Sequence, residues 1–263
     1  MSSTSIVSSP PKLVVANWKM HGSLLRNQQL IEAYLQGLRS ITRAEVVVCV
    51  PYPYLAQMTD LLSGTSVAWG AQNVAKYEEG AYTGEVGAQM LKDFGATHVI
   101  IGHSERSTAY CESDENIAEK FMMAKRYGLT PILCVGETLL EREAGVMERV
   151  VGKQLETIIR LFGGEAFANT IVSYEPIWAI GTGLAASSEQ AVAMHEFIRH
   201  TVATADKTAA GTVKILYGGS VNPQNAVQLL NQKEIDGALV GRCSLDAEQF
   251  IKICQAVPEN SVI

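Results

Sequence analysis

The sequence predicts an α/β fold: a closed barrel of eight parallel strands with outer helices, a (β/α)8 architecture. Three observations predict it. Eight short apolar runs rich in β-branched residues recur within 263 residues. Helical patterns separate them, and the chemically unusual residues cluster just after the runs.

The runs are residues 13–17, 45–50, 67–69, 97–101, 130–135, 170–174, 213–217 and 237–240. Their apolar character is nearly continuous rather than alternating, as in strands buried on both faces of a parallel sheet. Between them, Ile31, Tyr34, Leu35 and Leu38 share one helical face. Ile117, Phe121 and Ala124 share another, in a segment that opens at Ser113 and stops near Gly128. Ser187-x-x-Gln190 reads as a capping box ahead of Ala191, Met194, Ile198 and Val202. Asn222-Pro223 reads as an N-cap with proline at the first helical position. Parallel strands joined through helices require right-handed crossovers. An open doubly wound sheet also satisfies this pattern, and the count of eight favours closure.

Composition narrows the function. Charged residues make up 18% of the chain, hydrophobic residues 47%, and the formal net charge is -6. That balance argues against nonspecific binding to nucleic acid or a membrane, both of which need a basic face. A local phosphate site remains compatible with it. No stretch is long and apolar enough to span a membrane. Cys49, Cys111, Cys134, Cys243 and Cys254 are odd in number and widely spaced. They read as reduced thiols of a cytoplasmic protein, not a disulfide framework or zinc site. Residues 1–12, rich in Ser and Pro, read as a disordered tail, and residues 13–263 as one barrel domain.

A barrel of this kind carries its chemistry where strands end and βα loops begin. Asn17-Trp-Lys19 follows the first run, Gly102-His-Ser-Glu-Arg106 the fourth and Tyr174-Glu-Pro176 the sixth. Gly218-Gly-Ser220 follows the seventh and Gly241-Arg242 the eighth. Glu175, at the lip of a dry pocket, reads as a candidate base; a salt-bridged loop glutamate is the alternative. His103 precedes what looks like the first turn of a helix, whose N-terminus disfavours the imidazolium and leaves a neutral donor. Lys19 reads as a partner for a phosphate or a developing oxyanion. Taken singly, His103 and Lys19 are also compatible with ordinary loop residues.

Gly181-Thr-Gly183-Leu-Ala-Ala186 formally matches a relaxed dinucleotide fingerprint, but the strand has already ended at Glu175-Pro176. Its glycines read better as the hinge of a mobile loop over residues 176–184, with Trp178 and Ile180 as apolar cover. The glycine turns after the seventh and eighth runs read as a backbone phosphate seat. A Walker A loop, an H-E-x-x-H motif and a metal-spaced carboxylate cluster are all missing, so side-chain chemistry without metal or cofactor is expected.

Together these segments resemble the triosephosphate isomerase family, from about Lys12 to the C-terminal helix. The resemblance rests on Ala16-Asn-Trp-Lys-Met20, Gly70-Ala-Gln-Asn-Val74, Gly84-Glu85 and Ile101-Gly-His-Ser-Glu-Arg106. It continues through Cys134-Val-Gly-Glu137, Tyr174-Glu-Pro-Ile-Trp-Ala-Ile-Gly-Thr-Gly183, Tyr217-Gly-Gly-Ser220 and Gly237-Ala-Leu-Val-Gly241. It implies a TIM barrel that interconverts dihydroxyacetone phosphate and D-glyceraldehyde 3-phosphate through an enediolate, in glycolysis and gluconeogenesis.

By match, Glu175 is the base, His103 the electrophile, and Asn17 and Lys19 bind substrate, with Glu105 supporting the lysine. Backbone N–H groups of Gly181, Ser220, Gly241 and Arg242 hold the phosphate. The resemblance further implies a homodimer in which the loop from Gln72 to Glu85 enters the partner, placing Thr83 near its neighbour's site and Met20 near the docked loop. It also pairs Arg106 with Glu112. Three positions depart from the family pattern. Arg242 replaces a second glycine, and would be strained if the backbone there were glycine-only. Ser107 replaces an arginine, and Leu184 a lysine or valine. Two other readings fit the same barrel: an aldolase forming a Schiff base on Lys19, and a phosphate-binding barrel without catalysis.

Overall fold

Successive side chains of a strand point to opposite faces, so a strand apolar on both needs cover on both. The computed structural model, which describes residues 11–180 and 185–258, supplies that cover by closing the sheet. Its strands are β1 (Lys12–Asn17), β2 (Ala44–Val50), β3 (Val67–Ala71), β4 (His98–Ile101), β5 (Thr130–Val135), β6 (Ile171–Tyr174), β7 (Lys214–Tyr217) and β8 (Gly237–Val240). Each pairs in parallel with the next, and β8 returns to β1. The predicted eight-stranded barrel is what the chain forms, with strand limits within two residues of those expected.

Leu13 and Val15 of β1 join Val47, Cys49, Ile132, Cys134 and Leu239 in one buried cluster. Their neighbours Val14, Ala16, Val46, Val48, Leu133 and Val240 belong to the larger core shared with the helices. This alternation between two apolar cores is why the runs read as continuous. The seam between β1 and β8 depends on a glycine. Gly237 pairs with Leu13 at φ +155, and a Cβ there would sit 1.8 Å from the Leu13 carbonyl oxygen.

The helices that cover the sheet are α1 (Leu24–Leu38), α2 (Leu55–Leu62), α3 (Ala88–Asp93), α4 (Ser104–Tyr110), α5 (Asp114–Arg126) and α6 (Leu139–Glu143). They continue with α7 (Met147–Phe162), α8 (Ser188–Ala205), α9 (Lys207–Thr212), α10 (Ala226–Leu230) and α11 (Ala247–Gln255). α1 buries Ile31, Tyr34 and Leu38, and Leu35 packs half-buried beside them. Ser113 caps α5, and both halves of the Ser187–Gln190 capping box form ahead of α8.

Asn222-Pro223 differs from expectation. The Asn222 side chain does accept from the N–H groups of Gln224 and Asn225, as a cap does, but it closes a turn, and α10 begins only at Ala226. Of the tail expected over residues 1–12, all but the last two lie outside the described residues, and Lys12 opens β1.

All eight strands point the same way, so their C-terminal ends share one mouth. The opposite mouth holds a cavity of about 370 Å³ bordered by strand-start residues, among them Glu45, His98, Thr130 and Lys214. Glu45 and Lys214 form an ion pair there. No helix among the described residues is long and apolar enough to cross a membrane.

Candidate active site

Asn17 closes β1 with its side chain buried, and its Oδ1 accepts from the Lys19 N–H at 3.0 Å. Lys19 sits at φ 52, a left-handed conformation that costs a non-glycine residue about 1–2 kcal/mol. The conformation accompanies a definite placement of the side chain. The ammonium lies 2.5 Å from Glu105 Oε1, and Lys19 Cε lies 3.3 Å from where a Cβ on Gly241 would stand. One lysine thus bridges the first turn of α4 and the turn after β8.

His103 lies just beyond β4 and caps α4. Its Nδ1 accepts the Glu105 backbone N–H at 3.2 Å. A ring nitrogen that accepts carries no proton, so the proton resides on Nε2 and the ring is a neutral donor. Nε2 lies 3.6 Å from Glu175 Oε1.

Glu175 follows β6 and is almost wholly buried, at 1% exposure. Its Oε2 is 3.5 Å from the Ser104 N–H, while Oε1 is buried with no hydrogen-bond donor among the described residues. Close backbone approach brings the carboxylate here. A Cβ on Gly218 would stand 2.3 Å from Ser173 Oγ and 2.7 Å from Glu175 Cγ, so the turn after β7 must be glycine at that point. Burial first, and the Glu175 carboxylate second, push the neighbouring Cys134 thiol well above its ordinary range. Cys134 therefore stays protonated beside the carboxylate as well as packing the barrel interior.

The contacts form one sequence: Glu175 to His103, His103 to the Glu105 backbone N–H (3.2 Å), the Glu105 carboxylate to Lys19, and Lys19 to the Gly241 turn. Residues 158 positions apart in the chain, Asn17 and Glu175, stand at the same barrel mouth. A buried carboxylate, a neutral imidazole and an ammonium in succession can abstract a proton next to a carbonyl and stabilise the resulting oxyanion.

The strap after Glu175 is tied at both ends. Glu137, fully buried after β5, accepts at Oε1 from Tyr174 Oη (3.1 Å), Trp178 Nε1 (2.9 Å) and Arg142 Nη1 (3.1 Å). Ser220 Oγ donates to the Ala179 carbonyl at 2.5 Å, and the Ala186 N–H donates to Tyr217 Oη at 3.1 Å. Gly181, Thr182, Gly183 and Leu184 lie outside the described residues. The hinge assigned to those glycines, and the phosphate contact assigned to Gly181, fall with them.

Ser220 and Gly241 stand in the turns that end β7 and β8, as expected. Arg242 is exposed and opens a 3-10 turn, Arg242–Leu245. The non-glycine residues with positive φ among those described are Lys19, Cys111 and Asn169. Arginine therefore occupies position 242 without the strain anticipated for it. Thr83 is exposed on the loop between β3 and α3. Arg106 pairs with Glu112 at 2.8 Å, and Lys120 joins the same carboxylate at 2.5 Å. Ser107 is exposed on α4.

Sequence reasoning passed over Glu137 as a strap residue, though the rule that found His103, a polar residue just beyond a strand end, also points to it. Among the described residues no group of three His, Cys, Asp or Glu side chains is arranged to hold a metal ion.

A family profile described as Triosephosphate isomerase matches residues 12–257. The chain is 54% identical to a triosephosphate isomerase of Thiobacillus denitrificans, covering 93% of this chain and 98% of the relative. It is 51% identical to that of Nitrosomonas europaea, over 92% and 96% of the two chains. With that of Cupriavidus taiwanensis it shares 50% identity, over 93% and 99%.

Proposed function

The chain belongs to the triosephosphate isomerase family, and on that premise we propose how its own residues interconvert dihydroxyacetone phosphate and D-glyceraldehyde 3-phosphate. Glu175 takes a proton from the carbon beside the carbonyl. His103 Nε2–H donates to the carbonyl oxygen as negative charge develops there, and the Lys19 ammonium stabilises the enediolate electrostatically. Glu175 then returns the proton to the adjacent carbon while His103 exchanges a proton between the two oxygens. Bonds and protons balance with no other reactant.

Asn17 sets the Lys19 backbone and Glu105 orients its ammonium. The phosphate rests on backbone N–H groups of Ser220, Gly241 and Arg242, with Gly181 added from the strap. General acid–base help is typically worth roughly 10²–10⁴-fold; water exclusion by the strap strengthens the remaining electrostatic terms.

The observation that carries this reading is the unbroken contact sequence from Glu175 through His103 and Glu105 to Lys19. A Schiff-base aldolase needs a free amine in apolar surroundings, and the Lys19 ammonium is instead engaged by a carboxylate.

The test is conversion of glyceraldehyde 3-phosphate in D2O without added metal or nucleotide. Wild-type protein yields dihydroxyacetone phosphate carrying solvent deuterium on carbon, and Glu175→Gln yields almost none. Undiminished turnover in that variant would remove Glu175 from the role of base. Borohydride with substrate should leave Lys19 unmodified.

The chain also reads as a cytoplasmic homodimer. Its cysteines are free, which suits a reducing compartment. Met20 is 93% exposed, and Tyr77 and Tyr82 stack at 3.7 Å on the exposed loop that contains Thr83. A loop stiffened by an exposed aromatic stack, together with an exposed methionine, suits burial against a second copy. Light scattering should give twice the monomer mass; a monomer at micromolar concentration would overturn the dimer.

A further inference from the structure

Tyr34 belongs to an outer helix, yet it is fully buried and its hydroxyl reaches the catalytic end of the barrel. Its ring stacks on Phe250 of α11, with centroids 4.6 Å apart and planes at 19°, so the hydroxyl is aimed by packing on a second helix. That hydroxyl donates to the Ser244 carbonyl in the turn after β8. The buried Trp18 indole N–H lies beside the same hydroxyl. Trp18 stands between Asn17 and Lys19.

Ser244 is itself fully buried and is the other half of the junction. Its Oγ donates to the Gly241 carbonyl at 2.7 Å and lies 3.4 Å from the Asn17 carbonyl oxygen. Its backbone N–H also donates to the Gly241 carbonyl, at 2.8 Å. One hydroxyl on α1 therefore meets both strand ends: the β1 segment that carries Asn17 and Lys19, and the β8 turn that carries Gly241 and Arg242.

We propose that Tyr34 is a positioning residue for the phosphate seat, its hydroxyl fixing the Gly241–Leu245 turn against the end of β1. The inference rests on the reading that Gly241 and Arg242 present backbone N–H groups to the substrate phosphate. The turn has no regular sheet partner beyond Val240, so its register depends on the Ser244 contacts. Removing the tyrosine hydroxyl leaves the buried Ser244 carbonyl without that donor, and the turn is free to shift. A shift there affects the non-reacting end of the substrate and leaves Glu175 and His103 where they are.

The experiment compares two substrates, D-glyceraldehyde 3-phosphate and D-glyceraldehyde, which lacks the phosphate. In Tyr34→Phe, which keeps the ring stack, kcat/KM for the phosphorylated substrate should fall about tenfold, the effect of roughly one hydrogen bond. The loss should lie mostly in KM. The kcat/KM for D-glyceraldehyde should stay at the wild-type value. Ser244→Ala, should Tyr34→Phe not fold, is expected to show the same selective loss. Phe250→Leu keeps the hydroxyl but removes the stack that aims it, so it should show a smaller loss of the same selective kind.

An equal fall on both substrates, or no fall on either, overturns the role given to Tyr34. In the wild type, the Gly241 and Arg242 amide resonances should move when inorganic phosphate is added. Unresponsive amides overturn the seat itself; responsive amides with unselective kinetics overturn only the tyrosine's part in it.

Discussion

At Glu175 the backbone and the side chain are placed by different means. Its N–H is held by the Val135 carbonyl at 2.7 Å, while its Cγ is confined by Gly218. Shortening the side chain therefore retracts the carboxylate without letting the backbone follow. Glu175→Asp should lower kcat by about 10²-fold or more with little change in KM, because a displacement of about 1 Å spoils a near-attack geometry. Steady-state kinetics in both directions would check this, and a wild-type kcat would contradict the proposed base. Gly218→Ala approaches the same carboxylate from outside. Its new Cβ would lie 2.7 Å from Glu175 Cγ, so Glu175 must swing and Ser173 Oγ must yield. Loss of kcat of similar size is expected, and Gly218→Ala with normal kcat would show that the turn has slack. Glu175→Asp leaves both phosphate turns untouched, so KM is its internal control; Gly218 shares its turn with Ser220, so Gly218→Ala is read from kcat alone.

Among elements, the strap and its anchor show where local sequence stops being informative. Strand limits were legible because burial on both faces imposes unbroken apolar character, and the helix starts at Asp114 and Ser188 because Ser113 and Ser187 are local caps. That Asn17, Lys19, His103 and Glu175 stand at one barrel mouth was legible too, since a parallel barrel gathers strand ends without regard to their separation in the chain. Glu137 is different. Its single oxygen collects donors from two separate stretches, Tyr174 and Trp178 in one and Arg142 in the other, and no local pattern encodes that meeting. Asn222-Pro223 has the residues of a cap, yet two further residues pass before the regular helix at Ala226. Trp178→Phe keeps an aromatic ring near Arg142, whose guanidinium lies 5.1 Å from the Trp178 ring, and deletes the donor to Glu137. Loss of about 1–3 kcal/mol is expected for a buried hydrogen bond to a carboxylate. Urea unfolding with an unchanged m-value would measure it, and unaltered stability would mean that the anchor does not depend on the strap.

For the whole molecule, acid should be the main threat to stability, and two histidines away from the pocket contribute to it. His195, on α8, is fully buried edge-on to Tyr174, with ring centroids 6.2 Å apart. Burial, with Arg199 and Lys12 adding to it against a bond to the Glu234 carbonyl, lowers its pKa to about 3. His98, at the opposite barrel mouth, is lowered to about 4 by burial and then by Lys214. Both folded values lie below the ordinary value of about 6.5. The unfolded chain therefore binds protons that the native state refuses, and stability falls as pH drops. The contribution is complete above about pH 6.5 and is lost progressively toward pH 4 for His98 and pH 3 for His195. For His195 alone the loss by pH 4 is on the order of 3 kcal/mol. Carboxylates also titrate in this window, so the wild-type curve cannot isolate the histidine; a non-titrating replacement can. His195→Gln retains an amide able to donate to the Glu234 carbonyl. Its Tm should fall less steeply between pH 6.5 and 4 than that of the wild type, whatever its Tm at neutral pH. Parallel curves would show that His195 stays neutral at no cost to the fold. A steeper curve for the variant would reverse the sign of the argument, since it requires the native state to take up the proton more readily than the unfolded chain.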